Sequence, residues 1–380
     1  MASRIAMVDL KGQYLKIKDE VDEAISGVID TTSFINGPAV KAFQADLSRY
    51  MGGCHVIPCA NGTDALQIAL MALDLCPGDE VIVPAFTYVA SAEVIGLLGL
   101  TPVMVDVDTE SFNIDVSSLE AALSPRTKAV IPVHLFGQSC DMAPIMEFAA
   151  AHNLYVIEDN AQAIGAMYTF PDGTMSRTGT IGHIGCTSFF PSKNLGCYGD
   201  GGAMMTRDAD LEEKLRCIAN HGQKVKYHHS MLGCNSRLDS IQAAVLGVKL
   251  KHLDEYASAR QAAAAYYSKC FLEIDPQERF FSVPARMPYS THVWHQYTLK
   301  IKGGRRDSLK EFLMERGIPS MIYYPLPLQE QEAFKPITRR AGSLENAALC
   351  ASSVLSLPIH TEMTREIQDE VIAAVKEFFR

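Results

Sequence analysis

Two hydrophobic rhythms alternate between residues 55 and 206. Apolar positions in 63–73 recur at helical spacing, and Asn61, Gly62, Thr63 and Asp64 supply capping chemistry ahead of them. Short apolar runs at 80–83, 102–107, 129–135, 154–158, 187–190 and 203–206 read as strands. Such βα alternation predicts a mostly parallel sheet covered by helices on both faces, with ligands beyond the carboxyl ends of its strands. After about residue 208 the rhythm lengthens. Helices are predicted at 211–219, 238–267, 306–316 and 365–379, with a strand-like stretch at 294–301. The pattern divides the chain into a large α/β unit, 1–245, and a smaller C-terminal α+β unit, 246–380, joined by the long helix.

Length and composition narrow the function. A chain of 380 residues suits about two domains. Its formal charge of −10, with no basic block and no basic helical module before residue 55, argues against nucleic acid as a partner. Charge, Gly or Pro interrupts every apolar stretch before membrane-spanning length, and the N-terminus lacks an apolar signal core. Ten cysteines stand singly without a C-x-x-C pair, as free thiols of a cytoplasmic protein would. The pair His228-His229 has no third ligand at ligand spacing and no H-E-x-x-H context, so no metal is expected.

Four segments carry candidate chemistry. The strand ending Glu158-Asp159 delivers an acid to the sheet edge, read here as exposed, and Ala161 and Gln162 follow it. Lys193 lies on an aromatic turn between two strands, after Ser188-Phe189-Phe190-Pro191-Ser192 and before a glycine-rich stretch. Phe189, Phe190 and Pro191 would desolvate it and favour the neutral amine that a Schiff base requires. The helix start at Asn61–Asp64 offers free N–H groups to an anion. Phe86 and Tyr88 sit just past a strand end. Each segment has an ordinary explanation: a turn acid, a solvated lysine, a capped helix, core aromatics. Together they supply what pyridoxal 5'-phosphate needs: a lysine, an acid for the ring nitrogen, a phosphate cup and an aromatic plate.

The order and spelling of Asn61-Gly62-Thr63-Asp64-Ala65-Leu66, Glu158-Asp159 with Gln162, Ser188-Phe189 with Lys193, and Asn235 with Arg237-Leu238-Asp239 resemble the DegT/DnrJ/EryC1/StrS sugar aminotransferases. The resemblance spans nearly the whole chain and implies a fold-type-I pyridoxal-phosphate transferase. It makes Lys193 the Schiff-base and proton-shuttling lysine, and pairs Asp159 with the pyridinium nitrogen. Gln162 is implied at the ring hydroxyl, Gly62, Thr63 and Ser188 at the phosphate, and Tyr88 and Ala161 on the two ring faces. Asn235 is implied at the phosphate of a neighbouring subunit, because family members share sites across a homodimer. Arg237, Tyr323 and Tyr324 are implied at the substrate.

The resemblance further implies L-glutamate as donor and a keto sugar nucleotide as acceptor. The expected acceptor carbon is C3 of a UDP-2-acetamido-2-deoxy-3-keto-hexuronic acid used for bacterial surface polysaccharide, whose carboxylate suits Arg237. Arg237 could instead pair with Asp239 or Glu255. A C4 aminotransferase of a 4-keto-6-deoxy sugar nucleotide is the rival enzyme, and a non-catalytic cofactor-binding regulator the rival of another class. Related dehydratases carry histidine where Lys193 stands. Tyr323 and Gln329 replace histidines usual in the family, and Asn160 replaces a usually small residue; the first two bear on the choice of sugar.

Overall fold

The computed structural model describes residues 5–380. Its main sheet holds β1 (His55–Cys59), β2 (Glu80–Pro84), β3 (Thr101–Val105), β4 (Thr127–Val130), β5 (Tyr155–Asp159), β6 (Ile184–Ser188) and β7 (Gly202–Thr206). A smaller sheet holds β8 (Phe281–Ser282), β9 (Tyr297–Ile301) and β11 (Val354–Leu357). The short β10 (Arg339–Arg340) returns from the C-terminal part to the main sheet, whose order is β1-β7-β6-β5-β4-β2-β3-β10.

From β10 to β6 neighbouring strands run parallel, while β7 is antiparallel to both β6 and β1. The expectation of a mostly parallel α/β sheet therefore holds. Central strands such as β2 and β7 are buried along their whole length, the continuous apolar runs that a sheet covered on both faces demands. β1, absent from the sequence reading, lies at the edge, where Pro58 costs little because one side has no ladder.

The helix expected over 238–267 is broken into Ser240–Leu250 and Leu253–Ile274. Neither Gly nor Pro marks the break. His252 instead closes a tighter i→i−3 turn onto Lys249, where the chain passes from one core to another. Leu246 and Leu250 pack with Phe43 and Phe189 beneath the large sheet, whereas Tyr267 and Phe271 pack with Leu299 and Val375 around the small one. Ile5 joins that second core. Among the described residues no helix is long and apolar enough to cross a membrane, and no cluster of His, Cys, Asp and Glu could hold a metal.

Candidate active site

Several chain segments end at one edge of the sheet and enclose a cavity of about 450 Å³. β5 delivers Asp159, followed by Ala161 and Gln162. β6 delivers Ser188 and then Lys193; the turns after β1 and β2 deliver Gly62, Thr63 and Tyr88. Tyr323 and Tyr324 close it from the C-terminal part. All ten line this cavity.

Asp159 is buried rather than exposed, at 5% of its free surface. The backbone N–H of Ala161 donates to Oδ1 at 3.1 Å, and Ser91 Oγ donates to Oδ2 at 2.7 Å. Thr87 Oγ1 lies 3.3 Å from Ser91 Oγ, so the carboxylate is backed by a short hydroxyl chain. Each oxygen keeps capacity for a further donor from the cavity.

Lys193 sits across the same cavity, its backbone N–H bonded to the carbonyl of Phe190 at 2.8 Å. Burial pushes its amine down to about 8, against the pull of the Asp159 carboxylate. The desolvating wall differs from the expected one. Phe189 turns into the core, edge-on to Phe43 at 5.4 Å, and Phe190 is half-exposed on the cavity rim. Val133, Phe136 and His295 complete the lining. His295 is buried, its Nδ1 has no hydrogen-bond partner among the described residues, and burial holds it neutral, assisted by Lys193 and Arg260.

Gln162 is fixed at both ends: Oε1 accepts from the Phe136 N–H at 2.7 Å and Nε2 donates to Tyr324 Oη at 3.1 Å. Burial raises the Tyr324 phenol, so it stays protonated. Tyr88 is half-exposed, 6.0 Å from the Tyr324 ring, while Phe86 lies wholly in the core.

At the opposite end, Asn61 caps the helix Gly62–Ala72 by accepting from Asp64 N at 2.8 Å. The first N–H groups of a helix have no intrahelical acceptor, so those of Gly62 and Thr63 remain for an anion. Only glycine fits at 62, because a Cβ there would stand 2.7 Å from the Ser188 Cβ. Ser188 Oγ is thereby brought beside the helix start. Ser236 ties this cup to the next segment, donating from Oγ to Asp64 Oδ2 at 2.6 Å and accepting from Ala60 N at 3.0 Å.

Asn235 and Arg237 flank Ser236 but do not reach the cavity. Arg237 Nε donates to Asn235 Oδ1 at 2.8 Å, and Arg237 lines a separate groove of about 270 Å³ with Lys41 and Asn220. Among the described residues it forms no ion pair with Asp239 or Glu255. Gln329 is buried beside β10, its carbonyl accepting from Arg340, and does not line the cavity.

The sequence reading missed Ser91, Thr87, His295 and Ser236. Ser236 could have been found from its place between two flagged residues; Ser91 carries no local signal.

The donor set fits pyridoxal phosphate. A buried amine and a buried, doubly braced carboxylate line one cavity together with two aromatic rings and an apolar wall, and N–H and hydroxyl donors stand at a helix start. Gly62 admits the close approach of the cup to Ser188.

A model of the DegT/DnrJ/EryC1/StrS aminotransferase family matches residues 15–376. Three curated relatives align over nearly full length. A "pleiotropic regulatory protein" of Geobacillus stearothermophilus is 45% identical, covering 99% of each chain. A UDP-N-acetyl-3-dehydro-alpha-D-glucosamine 3-aminotransferase of Acidithiobacillus ferrooxidans is 44% identical over 98% of this chain and 96% of its own. A UDP-2-acetamido-2-deoxy-3-oxo-D-glucuronate aminotransferase of Pseudomonas aeruginosa is 43% identical over 94% and 95%. Among solved structures, a DegT DnrJ EryC1 StrS aminotransferase from Brucella abortus superposes with TM-score 0.93 at 41% identity, covering 99% of both chains. NtdA from Bacillus subtilis, with bound cofactor PMP, gives 0.89 at 30%, covering 99% of this chain and 85% of its own. The chain belongs to the DegT/DnrJ/EryC1/StrS aminotransferase family, and its cofactor is pyridoxal 5'-phosphate.

Proposed function

We propose that this protein moves an amino group from L-glutamate to C3 of a UDP-2-acetamido-2-deoxy-3-keto-hexuronic acid. The observation that carries the reading is the convergence of Lys193 and Asp159 on one buried cavity with a helix-start anion cup. The names of the Acidithiobacillus and Pseudomonas relatives support the 3-keto UDP-sugar, and the Pseudomonas name supports the uronate.

When bound, pyridoxal phosphate supplies the electron sink into which the substrate's carbanion drains. Lys193 Nζ would hold the cofactor and then carry a proton between carbon atoms, a task its lowered pKa suits. Asp159, oriented by Ser91 and the Ala161 amide, would hold a proton on the ring nitrogen. Gln162, gripped by Phe136 and Tyr324, would offer its remaining N–H to the ring hydroxyl. Gly62, Thr63 and Ser188 would bind the phosphate, and Tyr88 and Ala161 would support the ring. Tyr323 and Tyr324 flank the substrate.

Asn235 and Arg237 lie outside their own chain's cavity, which supports the reading that each reaches the neighbouring site of a homodimer. Arg237, paired with no carboxylate among the described residues, then faces the uronate or the glutamate carboxylate.

The test is an amination assay with L-glutamate and a panel of keto-sugar nucleotides: the 3-keto uronate, its 3-keto-glucosamine counterpart and a 4-keto-6-deoxy sugar. Preference for the uronate supports the proposal. Preference for either neutral sugar transfers the reading to that substrate. Amination of simple 2-oxo acids alone, or none at all, overturns it.

A further inference from the structure

Helix Ser240–Leu250 runs beneath the segment that carries Lys193, and two of its side chains, seven residues apart and therefore on one face, grip that segment. Gln242 makes a paired contact with Tyr198, accepting from its N–H at 2.8 Å and donating to its carbonyl at 3.3 Å. Lys249 is 1% exposed, yet among the described residues no carboxylate pairs with it. Its Nζ instead donates to the Gly196 carbonyl at 2.6 Å and lies 5.5 Å from the centre of the Tyr198 ring.

A buried ammonium satisfied by a carbonyl and a ring face is an expensive arrangement. Burial pushes it down to about 8; the Cys197 thiol works in the opposite sense, and the Arg260 guanidinium of the next helix adds to the depression. A methionine of similar length would fill this space at lower desolvation cost, so packing alone does not account for a lysine.

Gly196 is the closing point of the loop. A Cβ there would lie 2.3 Å from the Pro191 carbonyl oxygen and 2.8 Å from that of Phe190. The Cys197 N–H returns to the Phe189 carbonyl at 2.8 Å, completing a closed loop over 189–197 with Lys193 at its middle. Asn194 Nδ2 holds the far flank to the Val293 carbonyl at 2.8 Å.

We propose that Lys249 is a positioning residue for Lys193: its ammonium fixes the Gly196 carbonyl and, through the closed loop, aims the Lys193 amine across the cavity toward Asp159. The inference rests on the assignment of Lys193 as the amine that holds the cofactor.

The test compares Lys249→Met, Lys249→Arg and Lys193→Ala with the native holoenzyme. Measured are the pH midpoint of the visible absorbance of bound cofactor, kcat and KM for glutamate, and the thermal unfolding of the apo chain. Misplacing a reacting group by an ångström costs on the order of a hundredfold. Lys249→Met should therefore shift the spectral midpoint and lower kcat about ten- to a hundredfold with KM little changed, and Lys249→Arg should restore both. A native midpoint and kcat in Lys249→Met overturns the proposal. So does a parallel loss of stability and activity that arginine does not restore. If Lys249→Met does not fold, Lys249→Gln is read by the same criteria, and failure of all three variants to fold assigns Lys249 to folding alone. Lys193→Ala separates the two claims: a borohydride-sensitive band surviving in it removes the Lys193 assignment, whatever Lys249 does.

Discussion

Ser91 Oγ donates to Asp159 Oδ2 at 2.7 Å, joining the helix after β2 to the end of β5 across 68 positions of sequence. A hydrogen bond to a charged group is worth roughly 1.5–3 kcal/mol. Ser91→Ala should therefore weaken cofactor binding by about tenfold or more, measured by spectroscopic titration of the apo protein. Unchanged affinity would mean that the Ala161 amide orients the carboxylate unaided.

Removing the Lys193 amine removes both the covalent hold and the proton carrier. Lys193→Ala should lose the borohydride-sensitive absorbance. Its amination rate should fall by on the order of 10²–10⁴, the usual share of general acid–base catalysis. Added small amines that restore part of the rate would tie the loss to the missing base.

Gly62 and Ser188 should behave as a coupled pair. Gly62→Ala sets a methyl 2.7 Å from the Ser188 Cβ and should loosen cofactor binding by separating the cup from β6. Ser188→Gly removes the obstructing Cβ along with a hydroxyl donor. The double variant should bind better than the sum of the two single losses predicts; strict additivity in equilibrium dialysis would refute the steric account.

Arg237 should discriminate substrates without touching the cofactor's electronics. Truncating one partner of a desolvated charge pair costs about 2–5 kcal/mol. Arg237→Met should thus lower kcat/KM for the uronate about thirtyfold or more, with a much smaller effect on an uncharged 3-keto sugar. Equal losses on both would place the guanidinium away from the sugar carboxylate.

Alkali should unfold the apo chain through its buried thiols and phenols. Burial raises Cys59, Cys140 and Cys186, and likewise Tyr267, Tyr297 and Tyr324. Above about pH 9 for thiols and 10 for phenols the unfolded chain ionises while the folded chain keeps its protons, so stability falls as pH rises. Lys193 and Lys249 act in the opposite direction between about 8 and 10.5, because the unfolded chain holds those protons longer. Above about pH 10.5 the lysine contribution is complete and the six acidic groups dominate the slope. Denaturant unfolding under reducing conditions at about pH 10.5, 11 and 11.5 should therefore show a declining midpoint, with a flatter decline in Cys59→Ala.

Much of the sheet was legible because its strands are short apolar runs separated by turn residues, and their ends fell within a few positions of those observed. The candidate site was legible for a related reason: in an α/β sheet the strand ends meet at one edge, so residues following 59, 84, 159 and 188 in sequence become neighbours in space.

What the residue order determined by itself was local: a capped helix start at Asn61, an acid ending a strand at Asp159, a lysine in a glycine-flanked turn at 193. Tertiary structure decided the rest. Asp159 is buried because Ser91 and the Ala161 amide replace its water, and Phe189 faces the core because Phe43, Leu246 and Leu250 form the apolar layer it packs into. The helix after 238 breaks because its halves serve different cores. Arg237 faces a separate groove because Ser236, between it and Asn235, is the residue anchored to the cup. Periodicity and capping are read within a dozen residues; hydrogen bonds spanning 68 or 172 positions depend on how whole elements dock, which no local pattern encodes.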